Sequence, residues 1–140
     1  MSAPSPDQPA PAPGSPAERQ LLARLVRAFE DGDIPAVVAL MSDDAWVRMP
    51  PLPLEYQGRE LAKRFFATIA FRQGRRYRLI PAARANGQPA FAVYLRDPLT
   101  RRAQADGLFV ITLAGEQVSA LTRFDSAVFR RFGLPRTLAE

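Results

Sequence analysis

The sequence predicts an α+β fold in which a curved antiparallel sheet of four to six strands wraps around about three helices. In the first third of the chain, apolar residues such as Leu21, Leu25 and Phe29 recur at helical spacing. From residue 76 onward the pattern changes to the period of two that strands show. Because the helices come first and the strands follow together, we expect the helices to fill one side of the sheet and leave a cone with one open mouth.

The first 17 residues form a tail that is rich in Pro, Ala and Ser. Proline fixes φ and removes backbone donors, and this stretch has few apolar side chains to bury. We therefore predict a disordered tail or linker over 1–17, one folded domain over 18–136, and a short C-terminal end over 137–140.

Two helices are predicted next. Pro16 suits the first turn of a helix, where its missing N–H group costs nothing, and this helix ends near Gly32. Asp33 is a suitable N-cap for a second, short helix that carries Pro35 in its first turn. Both helices carry an apolar side that can cover the sheet.

A strand, a proline-rich loop and a third helix follow. Residues 45–49 alternate as a strand, and the prolines of 50–53 end it because proline cannot donate to a sheet ladder. Apolar residues at helical spacing over 59–71 predict the third helix. We expect the loop to form part of the mouth of the cone.

The second half of the chain predicts four antiparallel strands joined by short hairpins. Asn86-Gly87 is a strong signal for a two-residue hairpin turn. The predicted strands cover 76–82, 89–96, 103–113 and 117–125, and the residues after them form a short helical or irregular piece.

The composition excludes several classes of function. The chain has no Cys and no His, which removes disulfides, thiolate sites and the commonest metal ligand and general base. We expect no metal and no cofactor. Its net charge is +5, but 18 of its 19 basic residues are Arg, so we attribute this bias to base composition and expect no sequence-specific nucleic-acid binding. No apolar run could span a membrane and no signal peptide is present, so we expect a cytoplasmic protein.

Three local sequences, MPPLPLEYQG, ANGQPAF and FGLP, carry a family resemblance. They resemble the C-terminal SnoaL-like domain of actinobacterial extracytoplasmic-function sigma factors, which is part of the nuclear-transport-factor-2-like superfamily of cystatin-like cones. The resemblance covers roughly 19–136. It implies a regulatory domain that contacts the sigma-factor core regions or RNA polymerase and senses a small ligand. The helical sigma core regions have no counterpart in the sequence, so we expect no sigma activity from this chain itself.

The leading hypothesis is therefore a binding domain whose cone takes a small, mostly apolar molecule. Aromatic residues at alternating or helical spacing are mostly core, but some must line the pocket that the cone encloses. From strand alternation and an assumption about which face is concave, the predicted pocket residues are Trp46, Met49, Tyr56, Phe66, Tyr94, Phe109 and Arg123.

The second hypothesis is a small cofactor-independent enzyme, such as a cyclase, isomerase, dehydratase or epoxide hydrolase. Arg123 and Asp125 are two residues apart on a predicted strand and should face the same side. Some cone enzymes use an Asp-Arg-Asp arrangement, and Asp106 on the neighbouring strand could supply the third member. Asp106 or Asp125 would act as the acid or base, with Arg123 orienting it. The alternative interpretation is an ion pair at a strand end.

Two further features have structural interpretations. Leu108, Val110 and Val118 alternate along the last strands and would form the seam of a homodimer through the outer face of the sheet. The Arg cluster that includes Arg72 and Arg75 could contact phosphate or an acidic partner, but a solvated loop is the simpler interpretation.

Overall fold

The helices and strands occur in the predicted order in the computed structural model, which describes residues 8–139. The helices are α1 (Pro16–Glu30), α2 (Ile34–Ala39) and α3 (Arg59–Phe65), and α3 continues into a π-helical turn (Phe66–Ala70) and a 3-10 turn (Arg72–Gly74). The strands are β1 (Met41–Arg48), β2 (Glu55–Gln57), β3 (Tyr77–Ala85), β4 (Gln88–Asp97), β5 (Arg102–Ala114), β6 (Gln117–Asp125) and β7 (Thr137–Ala139). A 3-10 helix (Ser126–Phe132) connects β6 to β7. The predicted α+β class is confirmed.

Within residues 8–139, seven strands form one curved, open sheet in the order β2-β1-β6-β5-β4-β3, with β7 paired to the start of β5. The short strands β2 and β7 bring the sheet beyond the four to six strands expected. Neighbouring strands are antiparallel except β1 and β6, which run parallel. Helix α3 and the four strands β2 to β5 separate β1 from β6, and parallel pairing requires such a long connection.

The first two helices begin at the residues that the sequence indicates. Ser15 caps α1 by accepting a hydrogen bond from the Glu18 backbone N–H at 3.2 Å, and Asp33 caps α2 in the same way. Leu21, Leu25 and Phe29 form the buried stripe of α1. Helix α1 is thereby fixed against the sheet along its whole length.

Two local predictions need correction. Strand β1 begins at Met41 rather than 45, because Met41 already pairs with Val118 of β6, ahead of an irregularity in register that precedes Trp46. The Arg59 guanidinium holds this segment by donating to the Met41 carbonyl at 2.7 and 2.9 Å and by pairing with Asp43 at 3.0 Å. The third helix does not stay α-helical to 71, because the Phe71 N–H donates to the Phe66 carbonyl five residues earlier. In contrast, the Asn86-Gly87 hairpin is confirmed, since both residues have the positive φ that a type I′ turn requires.

The sheet is covered on both faces. Its inner face packs against α1, α2 and α3 in a cluster rich in phenylalanine. Its outer face packs against the segment from Ser126 to Leu138, with Phe129 at the centre. Leu108 and Val110 are buried under this segment, and Val118 is buried in the inner cluster. The expectation that these three residues form an exposed dimer seam is therefore wrong.

The chain termini contact the sheet where they are described. The Gly115 N–H, in the β5–β6 turn, donates to the Pro9 carbonyl at 3.0 Å. The part of the predicted tail over 1–7 lies outside the described residues. At the other end, β7 pairs with β5 beyond the expected domain limit at 136. Among residues 8–139, the helices are too short or too polar to cross a bilayer.

Candidate functional site

The inner face of the sheet encloses a cavity of about 270 Å³ between the sheet and the helices. Most of its wall is apolar and comes from both layers: Phe29, Met49, Phe65, Ile69, Phe109 and Leu121. One end is polar, with Arg72, Arg75, Tyr77, Asp106 and Arg123. This combination of an apolar wall and a few convergent polar groups is typical of small-molecule sites, although the volume lies at the small end of their range.

Asp106 reaches the cavity because of a bulge in β5. Its two neighbours in the chain pair with consecutive residues of β4, Val93 and Tyr94, so Asp106 is one extra residue in the strand. Asp106 and Phe109 both line the cavity, although they are three residues apart and regular alternation would place them on opposite faces. The bulge therefore turns the carboxylate into the cone.

Arg123 extends from β6 across this bulge. Its Nη2 donates to the Asp106 carbonyl at 2.6 Å and lies 3.3 Å from Asp106 Oδ2. The guanidinium passes over Gly107, where an added Cβ would lie 2.9 Å from Arg123 Nε and 2.8 Å from the Phe124 carbonyl. A side chain at position 107 would displace either the guanidinium or the strand.

Arg75 joins Asp106 to Tyr77. Its Nη2 lies 3.4 Å from Asp106 Oδ1, and its Nε donates to the Tyr77 hydroxyl oxygen at 3.1 Å. The Tyr77 hydroxyl donates to the Ala70 carbonyl. Burial raises the pKa of Tyr77 above its usual 10, although the hydrogen bond and charge of Arg75 act in the opposite direction. Tyr77 is therefore a neutral phenol at physiological pH.

The π-helical turn after α3 supplies two residues to the cavity, Ile69 and Ala70. The turn ends the regular α-helical hydrogen bonding, and side chains satisfy the carbonyls at this end. Arg72 Nη1 donates to the Ile69 carbonyl at 2.8 Å, and Tyr77 donates to that of Ala70. Such turns occur frequently at functional sites, and here the turn brings the helix end against the polar cluster.

The structure brings together part of the predicted site. Met49, Phe109 and Arg123 line the cavity, and so does Asp106. Arg123 and Asp106 contact each other directly, which agrees with their prediction as members of one cluster.

Four predicted pocket residues lie elsewhere and are not among the described residues that line the cavity. Tyr94 is on the outer face, where it packs against Phe129 and donates to the Pro135 carbonyl at 2.7 Å. Trp46 alternates with the inward Val47 and stacks under the Arg48 guanidinium at 4.6 Å. Phe66 is wholly buried in the inner core, and Tyr56 packs against Phe65. The assumption about the concave face is thus wrong for Tyr94.

Asp125 does not join the cluster. It is exposed at the end of β6, where it caps the following 3-10 helix by accepting from the Ala127 N–H at 3.0 Å. This hydrogen bond holds the pKa of Asp125 below its usual value. The expected convergence of Asp106, Arg123 and Asp125 is therefore not found, and Asp106 is the one carboxylate among the described residues of the cavity wall.

Sequence reasoning missed part of the polar end. The sequence favours a solvated loop for Arg72 and Arg75, and Arg72 is exposed, although both residues line the cavity. Arg75 departs from the prediction, because it is half-buried between Tyr77 and Asp106. Tyr77 was assigned only to a strand. Its alternation with Leu79 marks Tyr77 as a buried position of the sheet but does not tell the inner face from the outer.

Comparison with known proteins agrees with this architecture. A family model for the SnoaL-like domain matches residues 22–121. An NTF-2 like protein of unknown function from Burkholderia xenovorans LB400 has a TM-score of 0.61 at 16% identity, covering 78% of this chain and 82% of that one. The epoxide hydrolase/cyclase-like enzyme SalBIII, of pyran ring formation in the polyether salinomycin, has a TM-score of 0.60 at 20% identity, covering 76% and 88%. The chain belongs to the SnoaL-like family and has a cystatin-like cone fold.

One group of relatives has higher sequence identity. The chain is 38% identical over 133 residues, or 91% of its length, to the ECF RNA polymerase sigma factor SigG of two Mycobacterium tuberculosis strains. It spans about a third (34%) of the length of these relatives. The predicted resemblance to sigma-factor SnoaL-like domains is thereby confirmed.

Proposed function

We propose that this chain is a cytoplasmic regulatory domain that binds a small molecule in its inner cavity and acts in sigma-factor-dependent transcription control. The observation that carries the proposal is the cavity itself, which combines a mostly apolar wall with arginines around Asp106. A cone that served only as a scaffold would have no need to keep a charged cluster beside an unfilled volume, because even partly buried charges cost free energy.

The link to transcription rests on the sequence relatives. An identity of 38% that extends over 91% of the chain favours a role like that of the corresponding part of SigG. The partners that this role requires are the sigma-factor core regions or RNA polymerase. The bound molecule would shift the chain between states with different affinity for that partner.

Ligand binding is tested with a library of small fragments and ligand-observed NMR. We expect several fragments to bind the native chain, and a Leu121→Trp variant, whose indole would fill the cavity, to lose them. A matched Leu52→Trp variant should bind like the native chain, because Leu52 is 58% exposed. Absence of any fragment that binds the native chain, or equal binding to Leu121→Trp, would contradict the proposal.

Partner binding is tested by biolayer interferometry of the immobilised chain against the core regions of SigG and against RNA polymerase. We expect saturable binding that a cavity ligand changes. The titration should be repeated at two salt concentrations, because a chain of net charge +5 attracts acidic surfaces without specificity. No binding to either partner, with or without ligand, would exclude the regulatory function.

A small cofactor-independent enzyme is the second candidate, and Asp106 favours it. This carboxylate lies in the cavity between two guanidiniums, an arrangement that can orient a general acid or base. The alternative predicts turnover of epoxide or enolisable substrates that Asp106→Asn abolishes and Asp125→Asn, at an exposed position, leaves unchanged. A substrate panel without turnover by the native chain would count against it.

A further inference from the structure

We propose that the ligand of the inner cavity is a small amphipathic anion, with a carboxylate or similar acidic head and an alkyl or aryl tail. The inference deepens the proposed function, because it assumes that the cavity binds a small molecule, and it names the chemical class of that molecule. The sequence predicts a small, mostly apolar ligand, and the inference adds a charged head to it.

The charge of the polar end supports an anion. Three arginines, Arg72, Arg75 and Arg123, line the cavity against one carboxylate, that of Asp106, and Arg72 is the exposed one of the three. Tyr77 adds no charge, because a phenol with a pKa of about 10 is neutral at physiological pH and burial only raises that pKa. The cationic groups therefore outnumber the anionic group by two. A neutral apolar ligand would remove water from these guanidiniums without replacing its hydrogen bonds, whereas an anion would replace them.

The geometry of the arginines leaves room for a second acceptor. Asp106 is shared between Arg75 and Arg123 at 3.4 and 3.3 Å, longer than the roughly 2.7–2.9 Å of strong charge-assisted hydrogen bonds. Among residues 8–139, Arg123 hydrogen-bonds through Nη2. A guanidinium carries five N–H donors, so Arg123 retains further donors for an incoming carboxylate.

The remainder of the wall defines the tail. Phe29, Phe65 and Phe109 face the cavity from α1, α3 and β5, and Met49, Ile69 and Leu121 complete the apolar surface. A volume of about 270 Å³ suits a chain of moderate length or a single ring better than a bulky ligand. The site thus combines an acidic-head pocket with an apolar tail pocket.

The test compares three probes of equal chain length by isothermal titration calorimetry: octanoate, 1-octanol and octylammonium. We expect octanoate to bind at least about tenfold more tightly than 1-octanol, as one charge-assisted hydrogen bond would give. Octylammonium should bind most weakly, because it places a cation beside three guanidiniums.

Variants of the polar cluster sharpen the test. Arg75→Gln and Arg123→Gln should each weaken octanoate binding about tenfold or more and leave 1-octanol unchanged. Asp106→Asn should act in the opposite direction and tighten octanoate binding severalfold, because it removes the competing carboxylate. Arg24→Gln on the exposed side of α1 is the matched control and should change neither. The Asp106→Asn result has the opposite sign to a folding defect, so it remains informative if an arginine variant is unstable.

The outcomes separate the two proposals. If 1-octanol binds as tightly as octanoate, or if octanoate binding is unchanged in both arginine variants, the anion inference is overturned while small-molecule binding stands. If octylammonium is preferred, Asp106 rather than the arginines selects the ligand, and the inference is also overturned. If none of the three probes binds and the fragment library also gives no ligand, both proposals fail together.

Discussion

The two faces of the sheet are covered in different ways. The outer face packs against the chain's own segment from Ser126 to Leu138, and its polar group Tyr94 is buried with a well-placed acceptor, the Pro135 carbonyl. The inner face packs against the helices but keeps a cavity of about 270 Å³, and Asp106 and Arg123 remain beside it. One face is closed by the chain itself, and the other is left incomplete.

This difference between the two faces indicates the candidate binding site better than the burial of individual residues does. Both faces are apolar, and both contain a tyrosine whose pKa burial raises. The inner face differs in its hydrogen bonding. The N–H donors of its arginines outnumber the protein acceptors beside them, and these donors lie next to an unfilled volume. Such a combination costs stability, so we interpret it as a feature retained for binding.

The largest expected effect compares two phenylalanines. Phe129 is fully buried on the outer face, and Phe129→Ala should lower the free energy of unfolding by about 3–5 kcal/mol, the usual cost of such a truncation. Phe109 borders the unfilled cavity, so part of its surface has no packing contact to lose, and Phe109→Ala should cost about 3 kcal/mol or less. Urea unfolding monitored by circular dichroism measures both. A larger loss for Phe109→Ala would show that the inner face is the better packed one.

Most of the fold follows from the sequence, because its signals are periodic and local. The stripe of Leu21, Leu25 and Phe29 predicts α1 whatever the helix packs against, and Asn86-Gly87 defines its hairpin through backbone conformation alone. The parallel pairing of β1 with β6 joins segments far apart in the chain. No local pattern reports it.

The site could be predicted only in part, because single-residue irregularities build it. The bulge at Asp106 shifts the alternation of β5, and the π-helical turn shifts the end of α3; both depend on tertiary pairing. Tyr94 and Tyr77 alternate along their strands in the same way, and since both faces are covered, the pattern alone cannot separate outer from inner. The prediction of Arg123 rests on its spacing of two residues from Asp125 and on the proximity of Asp106, and only the second of these contacts is found.

Gly107 tests how closely the inner cluster is packed against the strands. Gly107→Ala places a Cβ against Arg123 Nε and the Phe124 carbonyl, and we expect a loss of about 1–3 kcal/mol in the free energy of unfolding. Adding Arg123→Ala should relieve only the clash between the new Cβ and the guanidinium. The stability of the double variant should therefore lie between that of Gly107→Ala and that of the native chain. A Gly107→Ala protein as stable as the native chain would mean that the cluster is loosely held.

The two buried tyrosines compare polar groups across the sheet. Tyr77→Phe removes the hydrogen bonds to Arg75 and the Ala70 carbonyl, and should cost about 1–2 kcal/mol of unfolding free energy. Tyr94→Phe removes one hydrogen bond, to the Pro135 carbonyl, and should cost about 1 kcal/mol. Only Tyr77→Phe should change octanoate binding, because it removes the hydroxyl acceptor of Arg75 Nε. Equal effects of both variants on binding would remove the distinction between the faces.

The smallest effect is the response of stability to alkaline pH. Burial raises the pKa of Tyr77 and Tyr94 above 10, so near that pH tyrosines of the unfolded chain ionise first. The unfolded state then binds fewer protons, and the free energy of unfolding falls as the pH rises through 10, by about 0.4 kcal/mol per tyrosine at pH 10.

Below that range these two groups give no pH dependence. The chain has no His, no Cys and one Lys, so few other side chains titrate between neutral pH and pH 10. As the pH rises through 10, the urea midpoint should therefore fall less steeply in a Tyr77→Phe, Tyr94→Phe double variant than in the native chain. An equally steep fall in that variant would mean that the buried hydroxyls of neither face govern alkaline unfolding.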